Sequence, residues 1–132
     1  MGRLILDTSV LIDVERRTSA LASVARPDED VAIAAVTAAE LLVGIELAGA
    51  EERRASRTAF VELVLSKIPV ETYDLDVARA HAALLAHTRR AGTPRGAHDL
   101  IIAATALARE REVVTLDASG FEGLPGVIVR SP

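Results

Sequence analysis

The chain alternates between short, continuous apolar runs and longer stretches in which apolar residues recur at helical spacing. An apolar run of strand length that is rich in branched side chains is typical of a strand buried on both faces of a parallel sheet. Runs of this kind predict strands at 3–6, 31–36, 68–71, 113–116 and 127–129. The stretches between them predict helices at 10–17, 37–48, 51–66, 75–91 and within 96–112.

Strands that alternate with helices are typical of an α/β domain built around a parallel sheet. We therefore predict a three-layer α/β fold, with a mainly parallel five-stranded sheet and helices on both faces. The first strand should lie at the centre of the sheet. Pro69 should place the third strand at an edge, because proline cannot donate a hydrogen bond to a neighbouring strand.

Composition narrows the class of protein. A length of 132 residues, half of them apolar, predicts a single globular domain over 1–132. The absence of cysteine excludes disulfides and thiolate metal sites, and no apolar run approaches the length of a membrane span. We therefore expect a cytoplasmic protein that makes no membrane contact. A net charge of −4 disfavours binding nucleic acid by charge alone, but suits a pocket that holds cations.

Four carboxylates stand at comparable places along the predicted elements. Asp7, Glu40 and Asp117 each follow a predicted strand, and Asp99 begins the most apolar helix. Ligands of open α/β sheets bind beyond the carboxyl ends of the strands, so these positions are candidates for a site.

Each carboxylate also has a purely structural interpretation. Asp7 or Thr8 could cap the helix that follows, and Glu40 forms a capping box with Thr37 if a helix begins there. Asp99 would be favoured by the dipole of its helix, and Asp117 could nucleate a turn with the residues that follow it.

Taken together, the four acids predict a metal site. The carboxyl ends of parallel strands share one edge of a sheet, so the four side chains should converge there. Clustered carboxylates repel one another unless cations join them. Oxygen ligands without cysteine or paired histidine select Mg²⁺ or Mn²⁺, and such a site supports phosphate chemistry by activating a water.

Four ordered motifs resemble those of the PIN-domain ribonucleases, and among them the VapC toxins of bacterial toxin–antitoxin pairs. The motifs lie at 7–13, 39–44, 98–104 and 114–117, with Phe121 after the last, so the resemblance covers essentially the whole chain. It implies a PIN-like fold and a Mg²⁺- or Mn²⁺-dependent endoribonuclease that cleaves cellular RNA (tRNA, rRNA or mRNA). It also implies a homodimer that a small VapB-type antitoxin holds inactive.

The resemblance assigns roles to individual residues. Asp7, Glu40 and Asp99 match the three most regular acidic positions, and Asp117 matches a fourth that is often Asn in relatives. Asp7 and Asp99 would hold the principal metal, Glu40 would orient or help activate the attacking water, and Asp117 would support a second metal. Ser9 and Thr115 match polar positions near the metals, where hydrogen bonding and direct ligation are both open.

Other classes of protein fit less well. A haloacid-dehalogenase-type phosphatase needs a second aspartate where Ser9 stands, and a dinucleotide-binding domain needs glycines that 7–9 lack. The alternative that remains is a catalytically idle PIN-like binding module.

With two phenylalanines and one tyrosine, the chain cannot build a stacking platform for several bases. Arg89, Arg90 and Arg95 are candidates for phosphate contact, or simply a solvated helix end.

Overall fold

The computed structural model describes residues 2–17 and 20–132. Its sheet contains β1 (Arg3–Leu6), β2 (Asp30–Ala34), β3 (Val70–Glu71), β4 (Glu112–Val114) and β5 (Val129–Arg130). Its helices are α1 (Thr8–Arg17), α2 (Ala35–Glu46), α3 (Glu51–Lys67), α4 (Leu75–Ala91) and α5 (Ala97–Arg109). No helix in this part of the chain is long and apolar enough to cross a membrane.

The strands form one sheet in the order β3-β2-β1-β4-β5, and every neighbouring pair is parallel. The prediction of a central first strand and an edge position for the strand after Pro69 is confirmed. Because all five strands run the same way, their carboxyl ends share one edge of the sheet.

Side chains of successive strand residues point to opposite faces of the sheet, and each face has its own apolar core. Ile5 packs with residues of α4 and α5, while its neighbours Leu4 and Leu6 pack with residues of α1, α2 and α3. The predicted three layers are therefore present. Helix α5 is buried along most of its length, as its apolar sequence predicts.

The junction between β2 and α2 differs from the prediction, whereas both ends of α4 agree with it. The second strand ends at Ala34, and α2 begins directly at Ala35 rather than at Thr37. Apolar residues continue through this junction, so hydrophobicity alone could not locate it. Helix α4 begins and ends as predicted, because Asp74 accepts a hydrogen bond from Val77 N (3.1 Å) and Gly92 ends it with φ +68°.

Arg111 fastens the opposite end of the sheet from the carboxyl edge. Its side chain is 6 % exposed, and it donates to the backbone oxygens of Leu4 (3.2 Å) and Asp30 (3.0 Å). It also forms an ion pair with Glu71 (2.9 Å). One buried guanidinium thus joins the starts of β1, β2 and β4 to β3.

Candidate active site

All four predicted acids line one cleft of about 280 Å³ at the carboxyl edge of the sheet. The cleft is bounded by the ends of β1 and β4 and by the first turns of α1 and α5. Its lining residues are Asp7, Thr8, Ser9, Ile12, Glu40, His98, Asp99 and Asp117. The lining contains no lysine or arginine, so its charge is strongly negative.

Asp7 is held rigidly by two hydroxyl groups. Ser9 Oγ (2.8 Å) and Thr115 Oγ1 (2.7 Å) both donate to its Oδ2 atom. These hydroxyls are themselves fixed, because they accept from the backbone amides of Leu116 (3.3 Å) and Asp117 (3.0 Å) respectively. Asp7 is only 7 % exposed, and its Oδ1 atom keeps no partner among the described residues.

The carboxylate of Asp7 does not cap α1. It accepts from hydroxyl groups and from no amide of that helix, while its backbone oxygen accepts from Val10 N (3.0 Å). Ser9 and Thr115 therefore act here through hydrogen bonds to a carboxylate, one of the two roles that the sequence left open for them.

Glu40 faces the cleft and is not part of a capping box. Because α2 begins after Ala34, Thr37 lies inside the helix and is completely buried, so the capping interpretation is wrong. Thr8 Oγ1 donates to Glu40 Oε1 (2.9 Å), and His98 Nδ1 lies 3.4 Å from Oε2. The side chain is thus held between α1 and α5.

Asp99 occupies a narrow space between two glycines. A Cβ atom built on Gly96 would stand 3.3 Å from Asp99 Oδ2, and one built on Gly120 would stand 2.5 Å from it. The carboxylate accepts no hydrogen bond from the residues that the structure describes. Burial, reinforced by the charges of Asp7, Asp117 and Glu40, raises the pKa of Asp99, although His98 partly opposes the effect.

Asp117 makes the turn that its sequence context suggested and also faces the cleft. Its Oδ1 atom accepts from the backbone amide (3.2 Å) and hydroxyl (2.5 Å) of Ser119, so Asp117 caps a short 3-10 turn (Ala118–Gly120). It is the most exposed of the four acids, and its charge still reaches Asp99. The two interpretations of this residue are therefore compatible.

Comparison with known proteins identifies the family. Residues 4–126 match the model of the PIN domain. The chain is 40 % identical over 124 residues to ribonuclease VapC5 of Mycobacterium tuberculosis, covering 92 % of this chain and 87 % of the relative. The chain is a PIN-domain protein of the VapC ribonuclease type.

Two further comparisons agree with this membership. The tRNA(fMet)-specific endonuclease VapC of Salmonella typhimurium is 37 % identical over 95 residues, covering 72 % of this chain and 70 % of the relative. The solved structure of the toxin–antitoxin system VapBC-5 of Mycobacterium tuberculosis superimposes with a TM-score of 0.78 at 33 % identity, over 99 % of this chain and 98 % of that chain.

The acids of this PIN domain suit a hard divalent cation because they offer oxygen ligands, although they do not surround a single point as a closed set of ligands. Within 2–17 and 20–132, no three acidic or histidine side chains stand close enough together to hold a metal ion as placed. The donors that face the cleft are nevertheless carboxylate oxygens, and Asp99 carries repulsion that a cation would relieve. Mg²⁺ typically binds one or two carboxylates and keeps several waters, so such a spacing suits it.

Sequence reasoning missed several residues that shape this PIN-domain cleft. The sequence suggests only a helix-capping role for Thr8, whereas in the structure its hydroxyl orients Glu40. Gly96 and Gly120 leave room for the Asp99 side chain. The only signals in the sequence are that Gly96 lies just before a candidate acid and that Gly120 lies in the loop after β4. Arg95, a candidate for phosphate contact, donates to the backbone of that loop.

Proposed function

We propose that this chain is a metal-dependent endoribonuclease toxin that hydrolyses phosphodiester bonds in cellular RNA and is neutralised by a VapB-type antitoxin. One observation carries the proposal: four carboxylates from separate parts of the chain line a single cleft whose lining contains no lysine or arginine. Membership of the VapC ribonucleases supports the activity. The tRNA specificity named for the Salmonella relative makes tRNA the first RNA to test.

The proposed cofactor is Mg²⁺ or Mn²⁺. Asp7 and Asp99 would hold the principal ion, and Asp117 and Glu40 would support it or a second one. When bound, the ion lowers the pKa of a water and neutralises charge on the scissile phosphate. The oxygen-only donor set and the repulsion at Asp99 support this choice of metal.

Each residue of the cleft then has its own role in the reaction. Asp7 presents Oδ1 to the cleft because two hydroxyls occupy its Oδ2 atom. Glu40, steadied by Thr8 and His98, orients the attacking water and accepts its proton. The water oxygen attacks phosphorus in line with the leaving 3′ oxygen, the bond between phosphorus and the 3′ oxygen breaks, and the 3′ oxygen takes a proton from solvent. One fragment then ends in a 3′-hydroxyl and the other begins with a 5′-phosphate.

The test uses purified, antitoxin-free protein with tRNA and a second structured RNA, in Mn²⁺ and then in EDTA. We expect cleavage in Mn²⁺, none in EDTA, and none by Asp7→Asn. Asp76→Asn is the matched control, because Asp76 is an exposed carboxylate in the first turn of α4, away from the cleft. Cleavage that survives EDTA, or that Asp7→Asn retains, would contradict the metal mechanism.

The second candidate is a catalytically idle PIN-like binding module. Such a module needs neither a metal nor the acids. Calorimetry with Mn²⁺ distinguishes the two candidates, since the nuclease should bind Mn²⁺ and lose binding in Asp7→Asn. Absence of Mn²⁺ binding by the folded wild-type protein would favour the idle module.

We also propose a surface for the antitoxin on α2. A second cleft, lined in part by Leu41, Gly44 and Phe60, shares Thr8, Ile12 and Glu40 with the cleft of acids. A segment lying in it would therefore reach the acids directly. Val43 and Leu47 are exposed apolar residues that continue the face of Glu40 and Gly44 at helical spacing.

A glycine inside a helix can admit a neighbouring backbone, but the close neighbour of Gly44 is a side chain of the same molecule. Arg57 Nη1 donates to Gly44 O (3.1 Å), and its Cδ atom would stand 3.3 Å from a Cβ atom at Gly44. The proposed antitoxin contact therefore rests on the exposed Val43 and Leu47 instead.

Co-expression with the product of a small neighbouring reading frame tests this surface. We expect the two proteins to co-purify and the activity to disappear. Val43→Glu should weaken the complex at least tenfold while free enzyme activity stays unchanged, and Leu63→Glu, an exposed leucine on α3 outside that face, is the control. If Val43→Glu and Leu63→Glu bind the antitoxin equally, the proposed surface is wrong.

A further inference from the structure

The loop that follows β4 is held to the start of α5 by one arginine. Arg95 Nη1 donates to the backbone oxygen of Ser119 (3.2 Å), and Nη2 donates to the backbone oxygen of Glu122. Both acceptors lie shortly after Asp117. Arg95 itself lies next to Gly96, the residue that precedes α5, and four positions before Asp99.

The contact uses the shape of the guanidinium rather than its charge. Arg95 forms no ion pair with a carboxylate among the described residues, and its recorded hydrogen bonds all go to backbone oxygens. A planar fork can bind two carbonyl groups at once, which an ammonium group on a flexible stem cannot do in the same fixed geometry.

The same loop is anchored from below by apolar side chains. Phe121 and Leu124 are 1 % and 4 % exposed and belong to the core between the sheet, α4 and α5. These anchors hold the loop in the core, and Arg95 adds two hydrogen bonds that tie its backbone to the start of α5. Gly120 lies between Ser119, which Arg95 holds, and Phe121, which packs in the core. At this point the backbone is close to the Asp99 carboxylate.

We infer that Arg95 is a positioning residue of the active site: its fork fastens the 117–124 loop against the start of α5 and so sets how Asp117 and Asp99 face each other across the cleft. Asp117 and Asp99 arrive on different segments, and Arg95 joins the backbone of one segment to the start of the other through hydrogen bonds. The inference rests on the proposed function in that the cleft is taken to bind a divalent metal.

The experiment compares Arg95→Met, Arg95→Lys and the wild type. Methionine keeps the length of the side chain without donors, and lysine keeps the charge without the fork. Arg79→Met is the matched control, because Arg79 is exposed on α4 toward the end farther from Gly92. The readouts are Mn²⁺ affinity by calorimetry, amide hydrogen exchange of 117–124, and the KM and kcat for RNA cleavage.

We expect both Arg95 variants to bind Mn²⁺ about 10- to 100-fold more weakly, as is typical when a residue that orients metal ligands is lost. Amide exchange should accelerate within 117–124 and stay unchanged in β1 and the centre of α5. Raised Mn²⁺ should restore much of kcat, and Arg79→Met should match the wild type.

Three outcomes would overturn the inference. If Arg95→Met leaves Mn²⁺ affinity and loop exchange unchanged but raises the KM for RNA, Arg95 contacts phosphate. If Arg95→Lys behaves as the wild type, charge rather than the fork matters. If exchange rises throughout the molecule, the role is merely structural. Wild-type protein that binds no Mn²⁺ would instead refute the proposed metal dependence. Amide exchange of 117–124 would still test whether Arg95 holds the loop.

Discussion

Gly120 lies against Asp99 so closely that a Cβ atom at Gly120 would stand 2.5 Å from Asp99 Oδ2. Gly120 does not have a positive φ, so its backbone accepts any residue, and the requirement for glycine comes from the neighbouring carboxylate. The loop after β4 thereby shapes the environment of an acid that is carried by α5.

Gly120→Ala should therefore damage the site while leaving the fold intact. The added methyl group must displace the Asp99 carboxylate, and a displacement of about 1 Å in an active site can reduce the rate roughly 100-fold. We expect RNA cleavage to fall by about 10- to 100-fold with little change in melting temperature. Gly49→Ala is the control, because nothing lies within 4 Å of a Cβ atom there. Equal activity of the two variants would show that the loop yields without cost.

Asp99→Asn should raise the stability of the metal-free protein at pH 7. Burial and the neighbouring acids raise the pKa of Asp99, so its ionised form is disfavoured in the folded state. We expect a melting temperature a few degrees above that of the wild type. The gap should shrink or reverse in saturating Mn²⁺, because the cation then stabilises the charged wild-type site.

The pH dependence of that difference has a definite sign. A carboxyl group whose pKa is raised on folding binds a proton more tightly in the folded state, so its contribution to stability improves as pH falls through the folded pKa. The melting temperatures of wild type and Asp99→Asn should therefore converge toward about pH 4. Asp76→Asn removes a helix-start carboxylate outside the cleft, so it should be neutral or slightly destabilising. A lower melting temperature for metal-free Asp99→Asn would assign Asp99 to the helix dipole instead.

Arg111→Met should destabilise the protein without altering its chemistry. The substitution leaves Glu71 and the backbone oxygens of Leu4 and Asp30 without their buried partner. Glu71 keeps an ion pair with Arg109 (3.8 Å), so the main cost is that of the lost hydrogen bonds. This is about 1–3 kcal/mol, or roughly 4–10 °C in a domain of this size. Below the melting transition, cleavage should match the wild type, because Arg111 lies at the end of the sheet away from the cleft. Arg79→Met serves as the exposed control.

The sheet was predictable because its signals are local and repeated. The first strand is apolar at consecutive positions, as a strand covered on both faces must be, and Pro69 indicated the edge. The start of α2 was not predictable, because alanine and valine continue from the strand into the helix. The residue before the helix, Ala34, has no side-chain group that could cap it. That single error made Glu40 look like a capping residue.

The convergence of the acids followed from topology, but their supporting contacts did not. All carboxyl ends of a parallel sheet share an edge, so Asp7, Glu40 and Asp117 could be expected to meet. The hydrogen bond from Thr8 to Glu40 joins positions 32 residues apart, and that from Thr115 to Asp7 joins positions 108 apart. The first pairing depends on the rotation of α1 and α2 about their axes, and the second depends on the pairing of β1 with β4. The periodicity of a single segment reveals neither.

Asp7 and Asp117 differ in how firmly their side chains are held. Asp7 is buried, and both hydroxyl protons point to its Oδ2 atom. In Asp7→Asn the amide oxygen must replace Oδ2 to accept these protons, so the amide NH₂ group faces the cleft where an oxygen ligand is needed. A cation cannot bind that donor, and we expect no activity at any Mn²⁺ concentration.

Asp117 should behave differently. It is exposed, and its contacts are confined to Ser119 within the same turn, so an asparagine there can rotate and present its oxygen to the cleft while water takes over the lost contact. Asp117→Asn should therefore weaken Mn²⁺ binding and recover much of its cleavage rate as Mn²⁺ is raised. The measurement is the cleavage rate of each variant across a Mn²⁺ titration, with Asp76→Asn as the reference for removal of a negative charge elsewhere. Rescue of both variants, or of neither, would mean that the rigidity of Asp7 does not decide which carboxylate the reaction depends on.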